Sequence, residues 1–277
     1  MQHFSESAPL VLVGCGNMGQ AMAMGWLRAG LSPDHLFVVD PGASADRLLG
    51  AKTENFVQTA RDLPVGLKAR VIVLAVKPQM MDNVIGLFGP FVDANTMIIS
   101  VAAGITLGQL KGGIGGEGTY VRVMPNTPAA IGEGISGLAA DPDISTENKC
   151  LAQELMHAVG DTVWVDDERL IDSVTSVSGS GPAYVFYMVE CMAAAGVAQG
   201  LSEEVAMKLA RQTVVGAAKL MDTDTDIPAA ELRRRVTSPG GTTAAALNIL
   251  MQAEGGLGQL MEKAITAARE RGQELGG

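Results

Sequence analysis

Residues 10–19 read Leu-Val-Leu-Val-Gly-Cys-Gly-Asn-Met-Gly, and the pattern of this stretch decides the architecture. Four consecutive apolar residues run into Gly14, Gly16 and Gly19, a G-x-G-x-x-G spacing, and a helical pattern over 17–29 follows. A short unbroken Val/Leu run suits a strand covered on both faces, as in parallel sheets. The first glycine permits a tight turn, the second lets the backbone approach a pyrophosphate, and the third lets helix and strand pack closely. Backbone N–H groups and the positive end of the helix then meet the anion. Alone the spacing is weak. Here Asp40 closes a second apolar run about 20 residues further on, which is the context a dinucleotide site requires.

Working outward from this loop, apolar runs recur at 36–39, 71–76, 96–101, 120–123 and 162–165, with helical patterns between them. Strand and helix in alternation argue for right-handed βαβ units. The character changes at Asp166-Asp167-Glu168, after which only helical patterns follow, at 182–198, 202–221, 228–235, 241–252 and 257–271. The expected fold is α/β: an N-terminal Rossmann-type, mostly parallel sheet domain over 1–166, then an all-helical dimerisation domain over 167–277. The helix at 183–198 is apolar nearly all round, so it must be buried on all sides. About 110 residues offer too thin a core for that, so a second subunit is expected to cover it. At 16 residues, with Glu190 inside, the stretch falls short of the ~20 that span a membrane. The run of glycines at 112–118 reads as a flexible connector.

Composition narrows the function. The chain has 20 Lys+Arg against 30 Asp+Glu, a net charge of −10, and its one basic run is Arg233-Arg234-Arg235. No basic face for nucleic acid is expected. Cys15, Cys150 and Cys191 are widely spaced and odd in number, so neither a disulfide framework nor a zinc site is implied. No secretory signal is visible at the start. These features read as a soluble, reduced, cytoplasmic protein. Glycine is in excess, 34 of 277 residues, against roughly 7% on average.

Asp40 can accept hydrogen bonds from the ribose 2′-OH of NAD, while Ser44 and Arg47 just downstream could receive the extra phosphate of NADP. Position alone favours NAD, and NADPH and NADH both stay open. A second constellation is Val236-Thr237-Ser238-Pro239-Gly240-Gly241-Thr242-Thr243, where one helical pattern ends and another begins. Pro239 fixes a turn, two glycines bare the backbone, and hydroxyls gather at a helix N-terminus. That suits a small carboxylate. No His lies near either loop, and no Lys lies in the helix after Pro182. Reduction of a ketone needs a strong acid–base group. An imine nitrogen is basic enough to be protonated readily, so hydroxyls fit an imine better.

Taken together, these segments resemble the pyrroline-5-carboxylate reductase family over almost the whole chain. The stretch VGCGNMGQAMAMGWL is similar to its cofactor loop. Ala75-Val76-Lys77-Pro78-Gln79, residues 100–104 (SVAAG) and residues 122–128 (RVMPNTP) are similar to three cofactor-side segments. Ser178 to Tyr184 (SGSGPAY) resembles the start of the family's dimerisation region, and SPGGTT its C-terminal signature. The resemblance implies hydride transfer from NADPH or NADH to the imine carbon of 1-pyrroline-5-carboxylate, giving L-proline in the last step of proline biosynthesis. It implies a homodimer, sometimes assembled to a decamer, with each active site shared between two subunits. Gly14, Gly16, Asn17, Met18, Gly19, Asp40, Ala75, Val76, Lys77, Pro78, Ala102, Ala103, Gly104 and Asn126 would bind the cofactor. Ser238, Gly240, Gly241 and Thr242 would hold the substrate carboxylate, and Thr243 would hydrogen-bond the imine nitrogen as the catalytic residue. The turn Asp40-Pro41-Gly42 departs from the Asn/Ser-Arg type often seen with NADP.

Overall fold

The computed structural model describes all residues of the chain except 43, 49, 116, 224 and 277. The side chain of Arg47 also lies outside the described residues. Eight strands form one sheet: β1 (Leu10–Val13), β2 (Leu36–Val39), β3 (Phe56–Val57), β4 (Val71–Leu74), β5 (Met97–Ser100), β6 (Thr119–Met124), β7 (Gly134–Ala140) and β8 (Gly160–Trp164). Their order is β3-β2-β1-β4-β5-β6-β7-β8, parallel except where β6 meets β7. The connection reverses direction between β1 and β4, where an open α/β sheet leaves a crevice at its carboxyl edge.

Helices α1 (Asn17–Arg28), α2 (Met81–Val84), α3 (Leu107–Ile114), α4 (Thr146–His157) and α5 (Ile171–Val174) accompany the sheet. The strand period of two explains the layering. Leu10 and Leu12 enter one core with Met22, Ala23 and Trp26 of α1 and Leu151 and Leu155 of α4. Val11 and Val13 enter the other with Met81, Leu107 and Leu110 from α2 and α3. All four β1 side chains are buried for this reason. The Trp26 indole donates to the Leu155 carbonyl at 2.8 Å and ties α1 to α4.

Two strands escape the sequence reading. β3 is two residues long, and β7 reads Gly-Ile-Ser-Gly-Leu-Ala-Ala, whose small residues carry little β-propensity. The expected connector at 112–118 is corrected in part. Gly112 and Gly113 form the last turn of α3, and Gly115 caps that helix. Thr106 and Gln109 make a capping box at its start. A Cβ on Gly113 would meet Ile85 Cγ2 at 2.6 Å, so close packing rather than flexibility explains this glycine.

Beyond the sheet, α6 (Gly181–Ala198), α7 (Glu203–Thr223), α8 (Ala229–Arg235), α9 (Thr242–Leu250) and α10 (Leu257–Gly276) follow, with no strand among the described residues. The chain divides into two compact units. One comprises Met1–Ser180 with Ala268–Gly277, the other Gly181–Ala267. The change from strands to helices falls after Trp164, but the first unit runs on to Ser180 and takes back the end of α10.

Within the second unit α6 and α7 pack through Ala193, Ala206 and Ala210, with Val189 against them. Small residues let the two helices approach. The rest of α6 stays open: Phe186 is 63% and Tyr187 67% exposed. Before α6, in the first unit, a 3-10 turn at Glu168–Leu170, α5 and a π-turn at Thr175–Gly179 follow one another. By length and composition alone the run 168–198 is apolar enough to cross a membrane, while the regular α-helix within it, Gly181–Ala198, has 18 residues.

Candidate functional site

The residues expected to hold a dinucleotide converge on the carboxyl edge of the sheet. Gly14 follows β1 with φ +90°, and its amide donates to the Val39 carbonyl at 2.9 Å. A Cβ there would lie 2.8 Å from the Ala75 carbonyl oxygen, so only glycine lets β1 turn beside β4. Gly16 is the N-cap of α1 and gives its amides no side-chain partner. A Cβ on Gly16 would meet nothing within 4 Å, so open space lies in front of the helix N-terminus. Asn17, Met18 and Gly19 form the first turn. At Gly19 a Cβ would run into the Gly14 carbonyl, which explains the third glycine of the pattern.

Asp40 follows β2 directly, and its carboxylate accepts from the Cys15 amide at 2.6 Å and the Gly42 amide at 2.7 Å. Ala75 and Val76 follow β4, with the Ala75 amide donating to the Val13 carbonyl at 2.7 Å. Lys77 is exposed and precedes a short 3-10 turn that opens on Pro78. Ala102 and Ala103 follow β5, the first buried and the second half-buried. Gly104 is also buried, beneath the end of α10: a Cβ would lie 2.9 Å from the Leu275 carbonyl oxygen. The Asn126 side chain is already engaged. Its Nδ2 donates to the Ser178 carbonyl at 3.2 Å, and its Oδ1 accepts from the Ile135 amide at 2.9 Å. A glycine cradle, open space and an uncapped helix N-terminus together fit a pyrophosphate.

The second constellation lies in the helical unit. After α8 the chain turns so that the Gly241 amide donates to the Ser238 carbonyl at 3.0 Å, with Gly240 at φ +70°. Gly241 caps α9 and brings no side chain to its amides. Thr242 and Thr243 occupy the first turn. The Thr237 hydroxyl is spent on the Arg233 carbonyl at 2.6 Å. Ser238 and Thr242 are exposed and Thr243 is half-buried, so these three hydroxyls remain presented.

Sequence reasoning missed Arg122. Its side chain is 5% exposed and contacts Glu168 Oε1 and Asp172 Oδ1, each at 3.3 Å. Glu168 Oε1 also accepts from the Leu107 amide at 2.7 Å, so one carboxylate joins β6 to the start of α3. Among the described residues Arg122 is the only buried one that carries a full positive charge, yet its position inside a strand gave no sequence signal.

Fold and loop define the class: an oxidoreductase built on a dinucleotide-binding sheet. Residues 9–104 match the family profile described as NADP oxidoreductase coenzyme F420-dependent, and residues 168–275 match the profile for pyrroline-5-carboxylate reductase dimerisation. The pyrroline-5-carboxylate reductase of Haemophilus influenzae is 40% identical over 270 residues, covering 96% of this chain and 97% of its own. That of Pseudomonas aeruginosa is 40% identical and covers 96% of both chains. Among solved structures, the Coxiella burnetii pyrroline-5-carboxylate reductase superposes with a TM-score of 0.86 at 35% identity, over 98% of this chain and 99% of that one. The Plasmodium falciparum pyrroline carboxylate reductase with NADP bound gives 0.80 at 30% identity, with the same coverage. The chain belongs to the pyrroline-5-carboxylate reductase family.

Proposed function

We propose that this protein reduces the C=N bond of 1-pyrroline-5-carboxylate to give L-proline, drawing the hydride from NADPH or NADH. The observation that carries this reading is the presence, in one chain, of two glycine-built helix N-termini that have no side-chain cap of their own. One suits a pyrophosphate and the other a small carboxylate. The bound dinucleotide supplies a hydride to the imine carbon, and a proton completes the amine.

The chain's own residues then have separable tasks. Amides of Gly16, Asn17, Met18 and Gly19 hold the pyrophosphate, with Gly14 shaping the turn. Asp40 takes the adenosine ribose. Ala75, Val76, Lys77, Pro78, Ala102 and Ala103 line the cofactor, and Gly104 and Asn126 support these segments from behind. Ser238, Gly240, Gly241 and Thr242 hold the substrate carboxylate. Thr243 donates its hydroxyl hydrogen to, or accepts one from, the imine nitrogen and so orients the C=N bond. Neutral hydroxyls suffice because an iminium is formed readily near neutral pH.

The working form in this reading is a homodimer, with the cofactor loop of one subunit serving the substrate loop of its partner. Assembly of such dimers to a decamer extends the same reading. The exposed rings of Phe186 and Tyr187 support the dimer, since large apolar patches on a folded protein mark contact surfaces. A cytoplasmic setting belongs to the same reading, supported by an odd number of widely spaced cysteines that suits no disulfide framework.

Thr243→Val tests the role of the hydroxyl. Loss of one buried hydrogen bond to the reacting group, about 1.5–4 kcal/mol, lowers kcat/KM about 10- to 1000-fold while leaving cofactor affinity unchanged. Near wild-type turnover would remove Thr243 from the mechanism.

A further inference from the structure

The carboxylate of Asp40 is fixed at both oxygens. Oδ2 accepts from the Cys15 amide inside the glycine-rich loop, and Oδ1 accepts from the Gly42 amide in the turn after β2. At 2.6 and 2.7 Å these are short, charge-assisted bonds, and both donors are main chain. Rotating the side chain away would take the acceptor from the part-buried Cys15 amide, while the exposed Gly42 amide would turn to solvent. The carboxylate is therefore locked beside the loop, where the adenosine ribose of a dinucleotide lies in this fold.

A locked carboxylate treats the two cofactors differently. It can only accept hydrogen bonds, and each oxygen retains a lone pair. A ribose 2′-OH is a donor and matches it. A 2′-phosphate has no useful donor near neutral pH and carries about −1.5 to −2 charge. Placed against a carboxylate that cannot withdraw, it meets like-charge repulsion over a distance too short for salt to screen. Asp46, in the 3-10 turn that Ser44 opens, adds a second acid to the same segment.

We propose that Asp40 makes this enzyme prefer NADH to NADPH, by accepting from the ribose 2′-OH and repelling a 2′-phosphate. The proposal rests on the reductase reading given above and specifies which reductant that reductase uses.

The test titrates the full-length protein with NADH and with NADPH in separate experiments, following nicotinamide fluorescence. The Kd for NADH is expected to be at least 10-fold lower than that for NADPH. In Asp40→Ser and Asp40→Asn the ratio of the two Kd values is expected to fall at least 10-fold, mainly through tighter NADPH binding. The kcat/KM ratio with 1-pyrroline-5-carboxylate should follow the same direction. Asp40→Asn keeps one side-chain acceptor for the loop amides, so it guards against loss of folding in Asp40→Ser. Equal wild-type affinities, an unchanged ratio in the variants, or no binding of either cofactor overturns the proposal. NADH-selective binding without imine reduction would overturn the reductase reading and leave the role of Asp40 standing. Imine reduction with equal use of both cofactors would do the reverse.

Discussion

Gly16 and Gly19 sit three residues apart in one loop, yet they respond to a methyl group in opposite ways. At Gly19 an alanine Cβ would press on the Gly14 carbonyl, lying 3.1 Å from its carbon, with the Ala75 methyl 3.6 Å away. The obstacle is backbone of a turn already held by the Val39 carbonyl, so no side-chain rotation relieves it. Alanine in a helix gains about 1 kcal/mol over glycine. Overpacking of this kind costs about 1–3 kcal/mol, and a backbone obstacle lies at the upper end. The net loss is then about 1–2 kcal/mol, or a Tm lower by about 2–8 °C at about 2–4 °C per kcal/mol. The turn must also shift to make room for the methyl, which displaces the amides that face the pyrophosphate, so dinucleotide affinity falls as well. At Gly16 the same methyl meets nothing within 4 Å, and the residue has φ −70°, which alanine adopts freely. Its only intrinsic cost is the poorer N-cap, about 1 kcal/mol or less. A methyl there stands where a pyrophosphate must approach, so Gly16→Ala should lose affinity while nearly keeping its Tm. Calorimetric melting and a fluorescence titration of the reduced dinucleotide read the two effects separately. Wild-type affinity in Gly16→Ala, or wild-type Tm and affinity in Gly19→Ala, would refute this reading of the loop.

Phe186→Asp, on the open face of α6, should shift sedimentation toward a smaller species, and an unchanged mass would remove that face from subunit contact. Arg122→Met leaves the Glu168 and Asp172 carboxylates without their shared cation. Because those groups are 26% and 16% exposed, the loss should be about 3 kcal/mol, the lower end for a broken buried pair, read by denaturant unfolding. Trp26→Phe strands the Leu155 carbonyl inside the core and should cost about 1–3 kcal/mol by the same assay. The Arg169 side chain, bonded to Asp167, holds that carboxyl down at about 2. Any stability from this pair is present above the ordinary aspartate range and fades as pH falls toward 2. In Arg169→Ala the Asp167 titration followed by NMR should rise toward the ordinary range but stop short of it, because the residue-169 amide still donates to Asp167 Oδ1, with no measurable change in Tm at neutral pH because the pair is exposed.

The loop at 14–19 and the strands on either side of it were legible because their signals are local. A strand that must be covered on both faces reads as an unbroken apolar run, and the spacing of the three glycines is itself a local pattern, although Gly14 is required by the distant Ala75 carbonyl and only Gly19 by a neighbour within the loop. Distant partnerships left no such trace. The Asn126 amide bonds Ser178 and Ile135, and nothing in RVMPNTP distinguishes that use from a cofactor contact. The grip of the Cys15 and Gly42 amides on Asp40 is likewise a product of the folded sheet. β7 was hidden because its Gly and Ala residues owe their extended form to pairing with β6 and β8 rather than to propensity. The glycines at 112 and 113 looked like a connector because composition says nothing of Ile85, which packs against Gly113. The Ser238–Thr243 turn was legible through Pro239 and the paired glycines. The carboxylate role proposed for it rests on the chemistry of its hydroxyls and on family resemblance together.

Transfer of a hydride to an imine carbon is read at that atom directly by isotopic labelling. The protein is incubated with 1-pyrroline-5-carboxylate and reduced dinucleotide carrying deuterium at the transferable position of the nicotinamide, and the product is analysed by mass spectrometry and NMR. The account predicts L-proline with one deuterium on the ring carbon that was the imine carbon, formed only when protein is present. Proline lacking the label, or no proline with either NADH or NADPH, would contradict it.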